Sequence, residues 1–80
     1  MSKHQIVSPL PGTFYRRPSP ENPAFKNDGD AVAISDVIGL IEIMKSFHEL
    51  TADAAGSTIH FLVEDGDGIM AGDVVAEIDV

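Results

Sequence analysis

The side chains able to do chemistry in this chain are few and widely spaced. His4, His48 and His60 are too scattered to suggest a metal-ligand set, and surface or half-buried strand positions account for them. Ser8, Ser46 and Ser57 sit in no Gly-x-Ser-x-Gly elbow, so none reads as an activated nucleophile. Asn27-Asp28-Gly29-Asp30 and Asp65-Gly66-Asp67-Gly68 alternate acidic residues in the manner of a calcium loop, yet neither continues to the closing Glu at the twelfth position. Both read better as turns. There is no glycine-rich phosphate cradle, and the absence of cysteine leaves no thiolate site and no disulfide framework. By this inventory the chain carries no catalytic set and no metal site, and is a poor candidate for an enzyme that works unaided. One lysine stands apart. Lys45, in Glu42-Ile43-Met44-Lys45-Ser46-Phe47, is the last basic side chain in the protein. Glu42 precedes it by three residues, and an ordinary surface ion pair would explain both.

The elements around Lys45 make it more unusual. Residues 36–43 and 47–52 are apolar, β-branched-rich segments that form the two arms of a hairpin if Met44-Lys45 is its tip. Two-residue hairpin turns need positive φ and favour Asn-Gly, Asp-Gly or Gly-Gly, chemistry that Met-Lys does not supply. A site that breaks a local rule is a reasonable place to look for function. A helix competes for this stretch, since Val37, Leu40, Ile41, Met44 and Phe47 fall near helical spacing and Ser35 or Asp36 could cap it. An internal repeat decides for the strand. Residues 28–42 align with 65–79, and six of the fifteen pairs are identical. The second copy ends in Val74, Ala76, Ile78 and Val80 alternating with Glu77 and Asp79, as a half-buried strand does. By analogy Val37, Gly39, Ile41 and Ile43 point inward.

Eighty residues make one small domain with little margin of stability. No run approaches the length of a membrane span and the start has no apolar stretch like a signal peptide, which makes a soluble, cytoplasmic protein the expectation. Charge is unevenly placed: five basic residues balance five acidic ones up to Lys45, and beyond it stand eight acidic residues with no Lys or Arg. The net charge of −8 therefore lies in the second half. Such a face disfavours phosphate backbones and anionic lipid, so neither nucleic acid nor membrane is expected as a partner. It serves solubility, or docks basic proteins.

Along the chain, residues 6–15 read as a strand, a proline-and-glycine turn and a second strand. Residues 16–25 hold three of the five prolines within six positions, which excludes regular structure and predicts a stiff exposed loop. The matching place in the second half, after residues 58–63, is bridged almost directly, so copy one carries an insertion. Extra loop without extra core usually touches something else. Ala54-Ala55-Gly56-Ser57 is a further turn, placed as Pro11-Gly12-Thr13 is in the first half. The sum is about eight short strands in two similar halves, an all-β fold.

Glu42-Ile43-Met44-Lys45, read with Ser8-Pro9-Leu10-Pro11-Gly12-Thr13-Phe14-Tyr15-Arg16 and Pro18-Ser19-Pro20, resembles the biotin carboxyl carrier proteins of bacterial acetyl-CoA carboxylase, over nearly the whole chain from Ile6 to Asp79. The family motif is Glu-Ala-Met-Lys-Met, and Lys45 matches the lysine that receives biotin through an amide to its ε-amine. The resemblance implies a flattened β-barrel, a barrel-sandwich hybrid of two four-stranded sheets with quasi-twofold symmetry. On it, residues 1–80 form a single biotinyl domain with its core at 6–79. Residues 16–25, with Arg17, Pro18, Ser19 and Pro20, look like the protruding thumb of the acetyl-CoA carboxylase carriers.

The same resemblance implies covalent biotin as the cofactor and a non-catalytic carrier subunit. Its partners would be a biotin protein ligase, a biotin carboxylase and a carboxyltransferase. Glu42, Met44 and Ser46 would be read by the ligase. The product would be malonyl-CoA from acetyl-CoA, for fatty acid biosynthesis. Two departures bear on the site, since Ile43 stands for the usual Ala and Ser46 for the usual Met. Ser35 also stands where a Gly is usual. Lipoyl domains share the fold and the lysine but usually carry Asp where this chain has Met44. A lipoyl carrier, or an unmodified interaction module that keeps only the fold, are the alternatives. The family's carriers usually have a further N-terminal segment, so this chain reads as a trimmed piece or a stand-alone carrier.

Overall fold

The computed structural model describes residues 2–80. Among these, seven strands form: β1 (Lys3–Val7), β2 (Gly12–Tyr15), β3 (Val37–Ile43), β4 (Ser46–Thr51), β5 (Thr58–Phe61), β6 (Gly68–Ile69) and β7 (Val74–Asp79). They lie in two antiparallel sheets, one ordered β1-β7-β5 and the other β4-β3-β2-β6. Among the described residues no helix is long and apolar enough to cross a membrane.

The internal repeat is a structural one, and its hydrogen bonds match pair by pair. Asp36 Oδ2 accepts from Ala33 N–H at 2.9 Å, as Asp73 Oδ2 accepts from Met70 N–H at 2.8 Å. Asp30 Oδ2 accepts from Asn27 N–H and Asp67 Oδ2 from Glu64 N–H, both at 2.9 Å. Asp28 Oδ1 accepts from Phe61 N–H at 2.8 Å, and Asp65 Oδ1 from Arg16 N–H at 2.7 Å. These carboxylates cap turns by satisfying backbone donors. Among the described residues no acidic or histidine cluster could hold a metal.

Each copy also carries the same β-bulge. The β3–β4 ladder passes from Val37–Thr51 to Gly39–Leu50, leaving Ile38 unpaired, and the β1–β7 ladder passes from Ile6–Ala76 to Val7–Val74, leaving Val75 unpaired. A bulged residue breaks the two-residue alternation and turns two consecutive side chains to one side. Ile38 and Val75 are accordingly fully buried, beside Gly39 and Ala76, while Val37 and Val74 are only half-buried. The simple alternation expected from the sequence is corrected here, and the added core residues are the reason the bulge is useful.

The core between the sheets is aliphatic, built from Ile6, Ile38, Ile41, Leu50, Ile59, Ile69, Val75 and Ile78 around a single ring, Phe14. The sheets are three- and four-stranded rather than both four-stranded. The eighth strand is reduced to one bridge, in which Val32 and Gly56 exchange hydrogen bonds of 3.0 and 2.9 Å. Val32 is the repeat partner of Ile69, which pairs with Gly12 in β6–β2.

Candidate functional site

Lys45 is placed by the longest ladder in the molecule. Six rungs join β3 to β4, ending at Ile43–Ser46, so that Met44 and Lys45 alone make the turn. Both have positive φ, 49° and 68°. This is the backbone of a primed hairpin turn, made without the glycine or asparagine such turns favour. A left-handed residue with a side chain is strained by about 1–2 kcal/mol. Burial of Ile38, Ile41 and Leu50 along the two arms holds the ladder that imposes it.

The turn displays its side chains fully. Met44 is 94% exposed, and Lys45 and Ser46 are exposed with it. Among the described residues the basic side chains in contact with a carboxylate are Lys3, His4, Lys26 and His60, and Lys45 is not one of them. The surface pair expected between Glu42 and Lys45 does not form, because the turn carries Lys45 away from the strand on which Glu42 lies. Ile43 is half-buried and packs against the core. Glu42 and Ser46 lie on opposite faces of the hairpin, since Glu42 pairs across to Phe47 and Ser46 to the inward-facing Ile43.

The expected thumb residues gather on the outward face of the same hairpin. Arg17, Pro18, Ser19 and Pro20 form one wall of a groove of about 450 Å³ completed by Tyr15, Glu42, Phe47 and Asp65. The loop is pinned rather than slack. Ser19 Oγ donates to Glu21 Oε2 at 3.1 Å and accepts from Asn22 Nδ2 at 3.0 Å, and Asn22 N–H donates to the Ser19 carbonyl. At its base, Phe25 N–H donates to the Arg16 carbonyl at 2.9 Å, and the Arg16 guanidinium lies 4.1 Å over the ring of Phe61.

Three groove residues were not foreseen as part of a site: Tyr15, Phe47 and Asp65. Two of them were legible. With Phe14 facing inward on β2, Tyr15 must face outward, and with Ser46 paired to the inward-facing Ile43, Phe47 at the next position lies outward as well. Their rings sit 6.3 Å apart, inclined at 51°. Tyr15 also faces Glu42, whose carboxylate holds the phenol above its usual range. Asp65 enters through the turn of the second repeat, a contact that requires the fold.

With this geometry in view, comparison with known proteins identifies the fold's kin. A family model described as "Biotin-requiring enzyme" matches residues 4–78. The chain belongs to that family. Within it, the chain is 46% identical over 67 residues to the biotin carboxyl carrier protein of acetyl-CoA carboxylase from Chlamydia muridarum, covering 84% of this chain and 41% of that protein. It is 41% identical over 69 residues to the Haemophilus influenzae protein of the same name, covering 86% and 44%. The Pyropia yezoensis protein of that name is 38% identical over 74 residues, covering 92% and 47%. The chain thus spans less than half the length of these relatives. Among solved structures, the urea carboxylase of Kluyveromyces lactis matches with a TM-score of 0.76 and 28% identity, over 98% of this chain and 6% of that one. A member of the biotin-requiring family is found here as a seven-stranded flattened barrel whose lysine hairpin projects beside the inserted loop.

Proposed function

We propose that this domain is a biotin carboxyl carrier, with Lys45 as the acceptor of covalently attached biotin. The observation that carries the reading is the Met44-Lys45 turn, a strained and exposed two-residue tip in a chain of the biotin-requiring family. An ε-amine free of carboxylate partners is open to acylation once deprotonated, and an amide there removes its positive charge. Biotin attached at this point supplies the group that accepts and gives up a carboxyl. The protein's own part is positional. The β3–β4 ladder holds the tip rigidly, the lysine stem gives reach, and tethering raises the local concentration of the carried group at each active site it visits.

The names of the relatives support acetyl-CoA carboxylase as the assembly and acetyl-CoA as the acceptor, with a biotin carboxylase and a carboxyltransferase as the successive hosts and a biotin protein ligase as the modifying enzyme. In this reading the domain is non-catalytic, works in the cytoplasm and serves fatty acid synthesis. Glu42, Met44 and Ser46 surround the tip from both faces of the hairpin and are the residues the ligase meets. Arg17, Pro18, Ser19 and Pro20 are the thumb. Ile43, one of the two departures from the family motif, points to the core and leaves the approach to Lys45 open. Incubation with biotin, ATP and a biotin ligase tests the reading by intact mass, with Lys45→Ala as control. A lipoyl-sized increment with a lipoyl ligase, and none with biotin, would replace it by the lipoyl reading.

A further inference from the structure

Tyr15 occupies a junction. It is the last residue of β2, and the inserted loop begins at the next position. Its backbone is fixed on both sides, by the Tyr15–Leu40 rung of the β2–β3 ladder and by Arg16 N–H donating to Asp65 Oδ1 at 2.7 Å. Gly39 lets the two strands close up here, since a Cβ at that position would lie 2.8 Å from the Tyr15 carbonyl. From this anchored backbone the side chain runs outward across β3 to β4. Its ring packs on Phe47 with centroids 6.3 Å apart, within the 4.5–7 Å range of favourable tilted aromatic pairs. Its hydroxyl end faces Glu42, and all three residues line one groove. Glu42 and Phe47 are directly paired across the strands, one rung behind the rung that closes the Met44-Lys45 turn.

We propose that Tyr15 is a positioning residue for the Lys45 hairpin: by packing on Phe47 and facing Glu42 it fixes, from the root of the inserted loop, the cross-strand pair on which the modification turn stands. The inference rests on Lys45 being the acceptor and adds what presents it. A two-stranded ribbon projecting beyond a sheet twists and frays at its tip. The core faces of Ile41 and Ile43 restrain one side of it, and Tyr15 restrains the other. Phe47, at 56% exposed, would otherwise be a large apolar ring with nothing over it. The Glu42 carboxylate would have no fixed direction. The modifying enzyme would then have to order the tip as it bound, which weakens capture without altering the chemistry of a tip once captured.

The test compares Tyr15→Phe, Tyr15→Ala, Glu42→Gln and the double variant Tyr15→Phe/Glu42→Gln as substrates of biotin ligase, varying the concentration of the unmodified domain. Tyr15→Phe keeps the ring that packs on Phe47 and removes the hydroxyl beside Glu42; it should raise KM about fivefold, the equivalent of about 1 kcal/mol, with kcat unchanged. Tyr15→Ala should raise KM further. The double variant should be no worse than Glu42→Gln alone, because the two groups act as a unit. A Tyr15→Phe domain with the parent's KM, beside a Glu42→Gln domain whose KM rises, would overturn the proposal. A second readout stands whether or not the domain is biotinylated: amide hydrogen exchange at Lys45 and Ser46 should quicken in Tyr15→Ala while that of β7 does not. Unchanged exchange at the tip would overturn the positioning role, whereas failure of the parent domain to be labelled would count against Lys45 as the acceptor.

Discussion

Phe14 lies directly against Gly39, on the neighbouring strand, with no room between them for a side chain. A Cβ at position 39 would sit 2.7 Å from Cζ of Phe14 and 2.8 Å from the Tyr15 carbonyl. In the second repeat the corresponding residues are Ile59 and Ala76, a smaller side chain facing a larger neighbour. The two halves therefore fill the same volume with different divisions of it. Gly39→Ala should overpack the core and cost about 1–3 kcal/mol, seen as a fall in melting temperature. Combining it with Phe14→Ile copies the second repeat, and the double variant should be less destabilised than the sum of the two singles. Strict additivity in thermal melts would show that the pair does not share its space.

Ser35 has φ 73° where its repeat partner Gly72 has φ 91°, and the two N–H groups make matching bonds, Ser35 to the Ala52 carbonyl and Gly72 to that of Ser8. The left-handed backbone is thus required in both copies, and only one uses the residue that adopts it freely. Ser35→Gly should stabilise the domain by about 0.5–1 kcal/mol after the entropy lost to glycine is counted, and Gly72→Ser should destabilise it by a similar amount. Denaturant midpoints measure both.

The strain at Met44 has the opposite meaning. Met44→Asn places a residue tolerant of φ 49° in the turn and should raise the melting temperature. It removes the exposed thioether beside Lys45, so the rate of biotin attachment should fall. A variant that gained in both would show that Met44 has no part in recognition.

Asp79 receives a hydrogen bond from the Thr58 hydroxyl and another from Lys3 Nζ at 3.0 Å, and together they hold its carboxyl below the usual range. The folded carboxylate binds its proton less tightly than the unfolded one. Its contribution is therefore complete above the unfolded pKa of roughly 4, and is lost as pH falls through the lowered folded value. Asp36, held down by the Ala33 N–H and Lys26, acts in the same direction. The melting temperature should fall on acidification below that range, and the fall should be shallower in Asp79→Asn, which starts less stable at neutral pH. An identical acid slope in the variant would remove Asp79 from the account.

How much of this was legible beforehand depends on which contacts are local. The repeat was readable because Asp-Gly-Asp turns and Val-x-x-x-Ile spacing are written twice, and the repeat settled strand over helix for residues 37–43. The turn at Met44-Lys45 was readable as an anomaly because Met-Lys lacks the chemistry that two-residue hairpin turns favour. The bulges at Ile38 and Val75 were not, since an apolar run gives no sign of which residue the partner strand skips. Nor was the groove, which needs Asp65 from one repeat and Pro18 from the insertion in the other to meet across the sheet. The expected Glu42–Lys45 pair failed because spacing along a chain says nothing of a turn that points the lysine away.

The central claim is that Lys45 accepts biotin, and intact-mass spectrometry tests it most directly. The domain is incubated with biotin, ATP and a biotin ligase, beside Lys45→Arg, which keeps the charge and changes the nucleophile. A single biotin-sized increment on the parent and none on the variant is the predicted result. An increment on both, or none on a parent that remains folded, would contradict it.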